Sequence, residues 1–332
     1  MRETGRLSQF GTAAACSNVI GGMPMERPIA LITPTHRADR ERFALLCESI
    51  DRRLTGYERH YVIVNDDDME LFAEFAGPRR VILPCSRFLP RWLRLVPPFL
   101  MRNGRRVWWS FRSRPVHGWH IQQMLKIAAV LQLPEQRFCI VDSDNVIIRR
   151  FDIGAYAGGA RSPLYIARGA ISADAPLHAK WIANGDRLLG LPPSSFPADD
   201  HIGNLIVWDK DAVRAMTRAI EDATGVDWFL ALCRTRAFSE YLLYGQFVRH
   251  SPRLMAAHEI VPQSLAVAYW DEEPLDRAGL ATLLDGASTS KIALCVESFS
   301  RTPVQAIREA AGLALPAAAS PFAPRLAGGA AA

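Results

Sequence analysis

The chain has 332 residues, 49% of them hydrophobic, and a net charge of +5, which fits one large globular domain. No apolar run reaches the roughly 18 residues of a membrane-spanning helix, and the N-terminus lacks the apolar core of a signal peptide. The six scattered cysteines form no C-x-x-C pair, which predicts free thiols in a reducing, cytoplasmic compartment rather than a disulfide-rich secreted protein.

The first half of the chain predicts strands and helices in alternation. Short apolar runs predict strands at 29–33, 61–65, 80–83 and 138–141, and apolar residues at helical spacing predict helices over 43–54 and 121–131. Continuous apolar strands that alternate with helices predict an α/β fold with a mostly parallel sheet, flanked by helices. We expect a single domain at 28–314 between flexible tails at 1–27 and 315–332.

The second half is less regular. It predicts strands at 164–167 and 204–208, a helix around 213–220 and a helix at 239–250 with Ser239 as its N-cap. A late strand at 291–296 and a terminal helix at 303–312 complete the predicted elements.

Three polar segments follow predicted strands directly, at residues 33–36, 66–68 and 142–144. Ligands of parallel sheets bind beyond the carboxyl ends of the strands. We therefore expect these segments to meet at one rim of the sheet.

The most informative of the three segments contains Asp142 and Asp144, one residue apart after a buried strand. On an extended strand end, residues i and i+2 point the same way, so their carboxylates can share Mg²⁺ or Mn²⁺. The alternative is a plain turn, since Asp and Ser are common turn formers.

The first predicted strand ends in Thr-Pro-Thr, an Asp follows the second, and the D-x-D pair follows the fourth. In this combination the chain resembles glycosyltransferases of the GT-A fold. It resembles more closely a group of bacterial proteins of unassigned activity that are thought to be glycosyltransferase-like. The segments that carry the resemblance are LITPTHRADRERF (31–43), GWHIQQMLKIAA (118–129), VDSDNV (141–146), GNLIVW (203–208) and SEYLLYG (239–245).

The resemblance implies a nucleotide-binding half at 28–150 and an acceptor half at 151–314. Thr33, Thr35 and Asp66 would hold the nucleoside of a nucleotide-diphosphate sugar. Asp142 and Asp144 would hold Mn²⁺ or Mg²⁺ against its diphosphate, with Asp144 as the direct ligand.

Two further residues have an ordinary alternative. His258 is a candidate late metal ligand, and the alternative is a strand histidine. Lys126 would reach a phosphate from the helix at 121–131, and the alternative is a solvated helix face.

The candidate catalytic base is Glu240, at the start of a predicted helix. An inverting transfer needs a carboxylate that takes the proton of the acceptor hydroxyl. An acid in the first turn also simply favours the helix dipole. The rival for the base is Asp200, which follows Asp199 in a loop.

Residues 87–114 contain eight arginines, Trp92, Trp108, Trp109 and no acid. Three interpretations of the segment are open: it binds nucleic acid, it is a structural insertion whose arginines pair within the fold, or it contacts an anionic membrane. No nucleic-acid motif is present, so we expect no nucleic-acid partner. In the membrane interpretation Arg102, Arg105 and Arg106 face lipid, with Trp108 and Trp109 at the interface.

The sequence thus predicts a metal-dependent glycosyltransferase. It would use a nucleotide-diphosphate sugar and a surface-glycan or lipid-linked acceptor, in the cytoplasm or peripherally at the inner face of the membrane. One alternative is a nucleotidyltransferase, although its usual Gly-rich loop is missing from TPTHRADR (33–40). The other is a non-catalytic module that binds sugar or membrane on the same fold.

Overall fold

A computed structural model describes residues 27–97 and 106–313. Apart from Arg27, the tails predicted at 1–27 and 315–332 lie outside these residues. Within the described part of the chain, no helix is both long enough and apolar enough to span a bilayer.

The described chain alternates between helices and strands. The helices are α1 (Arg40–Arg53), α2 (Met69–Phe72), α3 (Gly118–Gln132), α4 (Ile153–Ala157), α5 (Pro176–Leu189), α6 (Lys210–Thr224), α7 (Trp228–Arg234), α8 (Glu240–Arg249), α9 (Pro252–Ala256), α10 (Arg277–Asp285) and α11 (Val304–Ala310). The strands are β1 (Ile29–Pro34), β2 (Leu54–Thr55), β3 (Arg59–Val64), β4 (Arg80–Pro84), β5 (Arg94–Leu95), β6 (Val107–Trp109), β7 (Val116–His117), β8 (Arg137–Ile140), β9 (Asn145–Ile147), β10 (Phe151–Asp152), β11 (Ser162–Tyr165), β12 (Ala167–Ile171), β13 (Ala198–Asp200), β14 (Ile206–Asp209), β15 (His258–Val261), β16 (Ala266–Tyr269) and β17 (Ala293–Val296).

The central sheet has five strands in the order β14-β8-β1-β3-β4. Four of them run parallel, and β14 lies antiparallel to β8. The prediction of a mixed α/β domain with a mostly parallel sheet is confirmed. The remaining strands form five small sheets of two or three strands, including β16-β17-β9, in which β17 is antiparallel to β9.

The central strands are apolar on both faces because both faces are covered. Ile29 and Leu31 of β1 belong to a core with α1 and α4, while Ala30 and Ile32 belong to a core with α3, α6 and α8. Successive residues of a strand point to opposite faces, so a doubly covered strand has no polar face. This burial fixes the register that brings the carboxyl ends of β1, β3 and β8 together.

Helix α8 begins where the sequence predicts it. The side chain of Ser239 accepts a hydrogen bond from the backbone N–H of Leu242 at 3.4 Å, so the N-cap prediction is confirmed. Helix α8 packs against α5 and β13 residues through Leu242. The helix thereby presents its first turn, with Glu240 and Tyr241, to the centre of the molecule.

The basic segment forms a small antiparallel sheet of β5, β6 and β7 that leads into α3. Trp108 of β6 is buried in the main core. Arg106 donates two hydrogen bonds to Asp67, at 2.7 and 2.9 Å. The structure therefore corrects the prediction that Arg106 and Trp108 face a membrane. Arg102 and Arg105 lie outside the described residues.

Candidate functional site

The polar segment that follows β3 contacts the chain just beyond the end of β1. Arg37, just beyond β1, donates from Nε to Asp68 Oδ1 at 2.6 Å and from its backbone N–H to Asp68 Oδ2 at 3.3 Å. Asp68 is buried, and Asn65 donates to it as well, at 3.1 Å. These contacts fix the first part of an acidic rim at the carboxyl ends of the parallel strands.

Asp142 lies at the end of β8 and contacts α3 and α8. Lys126 Nζ is 2.8 Å from Asp142 Oδ1, and the Tyr241 hydroxyl donates to Asp142 Oδ2 at 3.2 Å. The turn around Asp142 is fixed by Asn145, whose side-chain amide donates to the Asp142 carbonyl at 3.0 Å. The same amide group donates to Asn204 Oδ1 at 3.0 Å.

Lys126 is the buried cation of this part of the site. Its Nζ donates to Glu240 Oε1 at 2.9 Å and to the Tyr241 hydroxyl at 3.1 Å. Burial opposes the charged form, but Asp142 and Glu240 outweigh it and raise the pKa of Lys126 well above its ordinary value. The side chain is therefore a permanent ammonium with carboxylates on two sides, and the alternative of a solvated helix face is wrong.

Asp144 belongs to a second group, with Cys295 and Glu297. One ligand atom from each of the three residues lies within 4.8 Å of the others, and Asp142 is not a member of the group. The Cys295 thiol lies between the two carboxyl groups, with its Sγ 3.7 Å from Asp144 Oδ1 and 3.8 Å from Glu297 Oε1. The two acids of the D-x-D pair therefore have different neighbours: Asp142 faces Lys126, and Asp144 faces Glu297.

The second group is electrostatically strained. Burial raises the pKa of Asp144, and the charge of Asp142 raises it further. Burial also raises the pKa of Glu297, and the charge of Asp144 adds to that shift. Burial raises the pKa of the Cys295 thiol well above its ordinary value, so the sulfur stays protonated. Neither carboxyl forms an ion pair with a residue that the structure describes.

Glu297 is a site residue that the sequence prediction missed. It follows β17 directly, and β17 reaches the rim because it pairs with β9 just beyond the D-x-D turn. The signal was present, since an acid directly after a buried apolar strand is the same pattern that singled out Asp142. The sequence alone does not show that β17 pairs with β9, so it could not place Glu297 beside Asp144.

The predicted nucleoside-binding residues differ in their surroundings. The Thr33 hydroxyl is buried and lies 2.9 Å from His60 Nε2, so it is occupied within the fold. The Thr35 hydroxyl is buried and has no hydrogen-bond partner among the described residues. Asp66 accepts a hydrogen bond from the backbone N–H of Ser86 at 3.1 Å. Thr35 and Asp66 remain at the rim, whereas Thr33 points into the core.

His258 lies in the two-stranded sheet of β11 and β15 and is not a member of the Asp144 group. Its Nδ1 lies 2.7 Å from the Leu254 carbonyl, which can only accept, and its Nε2 lies 2.8 Å from the Tyr244 hydroxyl. Burial lowers the pKa of His258, which favours the neutral ring. Both nitrogens are therefore used within the fold, and the geometry corrects the metal-ligand prediction in favour of the strand histidine.

The two candidates for the base have different exposure. Glu240 is 3% exposed and ion-paired to Lys126. Asp200, at the end of β13, is partly exposed and accepts a hydrogen bond from the backbone N–H of Ile202 at 2.8 Å. The role of either residue as a base stays a prediction.

Two comparisons with known proteins bear on this arrangement. Residues 26–319 match the model of a family described as "Family of unknown function (DUF6492)". No curated protein matches the chain.

Proposed function

We propose that the chain, which belongs to the DUF6492 family of unknown function, is a metal-dependent glycosyltransferase. The observation that carries the proposal is the placement of Asp142, Asp144 and Glu297 at one rim, after the buried strand β8 and the late strand β17. Carboxylates at the carboxyl ends of the strands are suited to a ligand that bears both phosphate and a hard cation.

The donor set suits Mn²⁺ or Mg²⁺. Asp144 and Glu297 offer oxygen ligands, and hard divalent cations prefer oxygen. Cys295 adds one sulfur to this set, so carboxyl oxygens outnumber it two to one. Burial raises the pKa of both carboxyls, which favours their protonated forms. A divalent cation bound here would displace protons and pair with the negative charge of the two carboxylates.

The protein's own side chains would then have distinct roles. The bound cation would neutralise charge on the departing diphosphate. Lys126 holds Asp142 in place, and Glu240 and Tyr241 hold Lys126. We propose that Lys126 acts through Asp142 and is not itself a phosphate ligand, since its buried ammonium already has three partners.

A GT-A-like arrangement is part of the same proposal. It is supported by the parallel strands β8-β1-β3-β4, by the acid pair at the end of β8, and by antiparallel β14 beside it. Thr35 follows β1 and Asp66 follows β3, and the nucleoside would bind at these strand ends. The acceptor, a surface glycan or a lipid-linked sugar, would bind on the side of α8 and Asp200.

A thermal-shift screen tests this function. The full chain is heated with UDP, GDP, CDP and their sugar derivatives, each with Mn²⁺ and with EDTA. A nucleotide at about 100 times its Kd stabilises the protein by roughly 2.7 kcal/mol. We expect one base to stabilise in the presence of Mn²⁺ and not in EDTA.

Two variants connect the screen to the site. Asp144→Asn and Glu297→Gln should each abolish the metal-dependent shift, because each replaces a charged carboxylate by a neutral amide that binds a hard cation far more weakly. The matched control is Asp222→Asn on α6, an exposed acid whose change should leave the shift intact. Metal-dependent shifts that survive Asp144→Asn would refute the metal site. A protein that no nucleotide stabilises would point to a non-catalytic module.

A further inference from the structure

The proposed function leaves unused the outer face of the sheet β5-β6-β7. Arg94 pairs with Trp109 across β5 and β6, so their side chains share one face. Trp108 points to the opposite face and is buried in the core. Trp109 is 41% exposed, and the face that it shares with Arg94 is therefore open to solvent.

Phe111 extends this open face. It is 93% exposed, more than any other large hydrophobic side chain among the described residues. The turn that carries it is fixed, because the buried Ser110 hydroxyl accepts hydrogen bonds from the backbone N–H groups of Arg112 and Ser113, both at 3.2 Å. The Phe111 and Trp109 rings pack edge to face with centroids 4.3 Å apart. A fixed turn thus holds an aromatic pair in water.

The segment of the chain that contains this pair is strongly positive. Residues 75–134 contain ten arginines, one lysine and no acid. In the described part of this segment the ion pairs are those of Arg80, Arg106 and Lys126. Arg94 and Arg114 are exposed and make no ion pair with a described residue. Unpaired cations beside exposed aromatics are complementary to a surface that is anionic outside and apolar beneath.

We propose that the face formed by Arg94, Trp109 and Phe111, together with exposed Arg114 in the connection between β6 and β7, binds the surface of an anionic lipid bilayer. The aromatic pair enters the interface between headgroups and acyl chains, while the guanidinium groups stay with the lipid phosphates. A nucleic acid would be attracted by the same charge, but Phe111 protrudes as an apolar tip rather than lining a groove that could follow a phosphate backbone.

This face lies next to the acidic rim. Arg106, directly before β6, is bonded to Asp67 of the rim, and β7 leads into α3, which carries Lys126. A bilayer bound here would bring a membrane-anchored substrate towards Asp142 and Asp144. The consequence that the acceptor is lipid-linked rests on the proposed function, whereas membrane binding does not.

Vesicle co-sedimentation of the full chain, without nucleotide or metal, tests the binding. Vesicles of phosphatidylcholine alone are compared with vesicles that contain phosphatidylglycerol at three parts in ten. We expect sedimentation with the anionic vesicles alone. Binding should weaken in 1 M NaCl, because the Debye length falls from about 10 Å at 0.1 M salt to about 3 Å. Equal binding to both vesicles, or none to either, overturns the proposal.

Variants identify the surface. Arg94→Gln with Arg114→Gln should weaken partitioning by about fivefold for each arginine, and Trp109→Ser with Phe111→Ser by roughly tenfold. The matched controls are Arg218→Gln with Arg253→Gln and Trp270→Ser, which change exposed residues elsewhere and should leave binding unchanged.

Two outcomes would overturn the assignment of the surface. One is a loss of binding in the control variants equal to that in the surface variants. The other is binding to double-stranded DNA, lost in the arginine variant, by a protein that ignores anionic vesicles. Unchanged thermal unfolding midpoints would show that the variants are folded, which is expected since the substituted side chains are exposed.

Discussion

Lys126 joins three elements at the acidic rim: α3, the end of β8 and the start of α8. Its ammonium contacts Asp142, Glu240 and the Tyr241 hydroxyl. Lys126 and Glu240 are both buried, so neither charge is solvated by water. A buried ion pair adds little net stability, yet removal of one partner leaves the other charge uncompensated. The contacts therefore matter more for the position of Asp142 than for the total stability.

The Lys126→Met variant should be destabilised by about 3–5 kcal/mol, because Glu240 loses its cation. The double variant Lys126→Met with Glu240→Leu should recover part of this loss, since no isolated charge is then buried. Urea unfolding of the wild type, both single variants and the double variant measures the coupling. If the losses in unfolding free energy of the two single variants simply add in the double variant, Lys126 and Glu240 do not interact and the ion pair is contradicted.

Glu240→Gln separates two roles. If Glu240 is the base, transfer falls by about 10²–10⁴ and metal-dependent nucleotide binding stays intact. If Glu240 positions Lys126, nucleotide binding weakens as well, because Asp142 is then less firmly held. We expect the second result, since Glu240 is buried against Lys126. The companion variant Asp200→Asn should abolish transfer without weakening nucleotide binding; normal transfer would remove Asp200 as the base.

At the scale of elements, α8 is placed by close contacts at two glycines. A Cβ built on Gly245 would lie 2.0 Å from His201 Cγ, and a Cβ on Gly185 of α5 would lie 2.2 Å from Gln246 Oε1. His201 cannot easily yield, because it is buried and its Nδ1 lies 2.9 Å from the Tyr165 carbonyl. The missing side chains of the two glycines allow His201 and α5 to pack closely against α8. This close packing sets the position of Glu240 and Tyr241.

Gly245→Ala should therefore destabilise the protein by about 1–3 kcal/mol through overpacking, although alanine is the better helix former by roughly 1 kcal/mol. The matched control is Gly118→Ala in the first turn of α3, where a Cβ meets no atom within 4 Å. Chemical denaturation of both variants gives the comparison. Equal stability of the two variants would show that the loop around His201 adapts freely.

At the scale of the whole molecule, charge is separated between neighbouring regions. The rim gathers Asp142, Asp144 and Glu297, whereas the segment that forms β5, β6 and β7 is rich in arginines. The carboxyls of Asp144 and Glu297 are favoured in their protonated forms in the folded state. Burial raises the pKa of both, the charge of Asp142 adds to the shift of Asp144, and the charge of Asp144 adds to that of Glu297. In the unfolded chain they ionise at their ordinary values, near pH 4.

This difference fixes the sign of a pH effect on stability. Above about pH 4 the unfolded state binds fewer protons at these two carboxyls than the folded state, so their contribution to stability falls as pH rises. In EDTA the wild type should lose stability with rising pH more steeply than Glu297→Gln, which lacks one of the two acids. Mn²⁺ should stabilise the wild type more at high pH than at low pH.

Thermal unfolding from pH 5 to pH 9, with EDTA and with Mn²⁺, measures the pH dependence of stability. The difference between the wild type and Glu297→Gln isolates the site from the other titrating groups. Parallel pH profiles of the two proteins would contradict a strained carboxyl pair. A benefit from Mn²⁺ that does not change with pH would contradict metal binding through these acids.

The sequence by itself determined the elements that rest on local rules. Apolar periodicity located the parallel strands and the helices, Ser239 marked the start of α8, and the acids after buried strands marked the rim. These signals work because strand alternation, helical spacing and capping act over a few neighbouring residues.

Tertiary structure decided which side chains meet. The sequence could not place Glu297 beside Asp144, turn Glu240 towards Lys126, or bury Trp108 while it exposes Phe111. Each of these outcomes depends on pairing between segments far apart in the chain, such as β17 with β9, or on which face of a strand is covered. Such pairing is fixed by packing of the whole core, and no local pattern of residues encodes it.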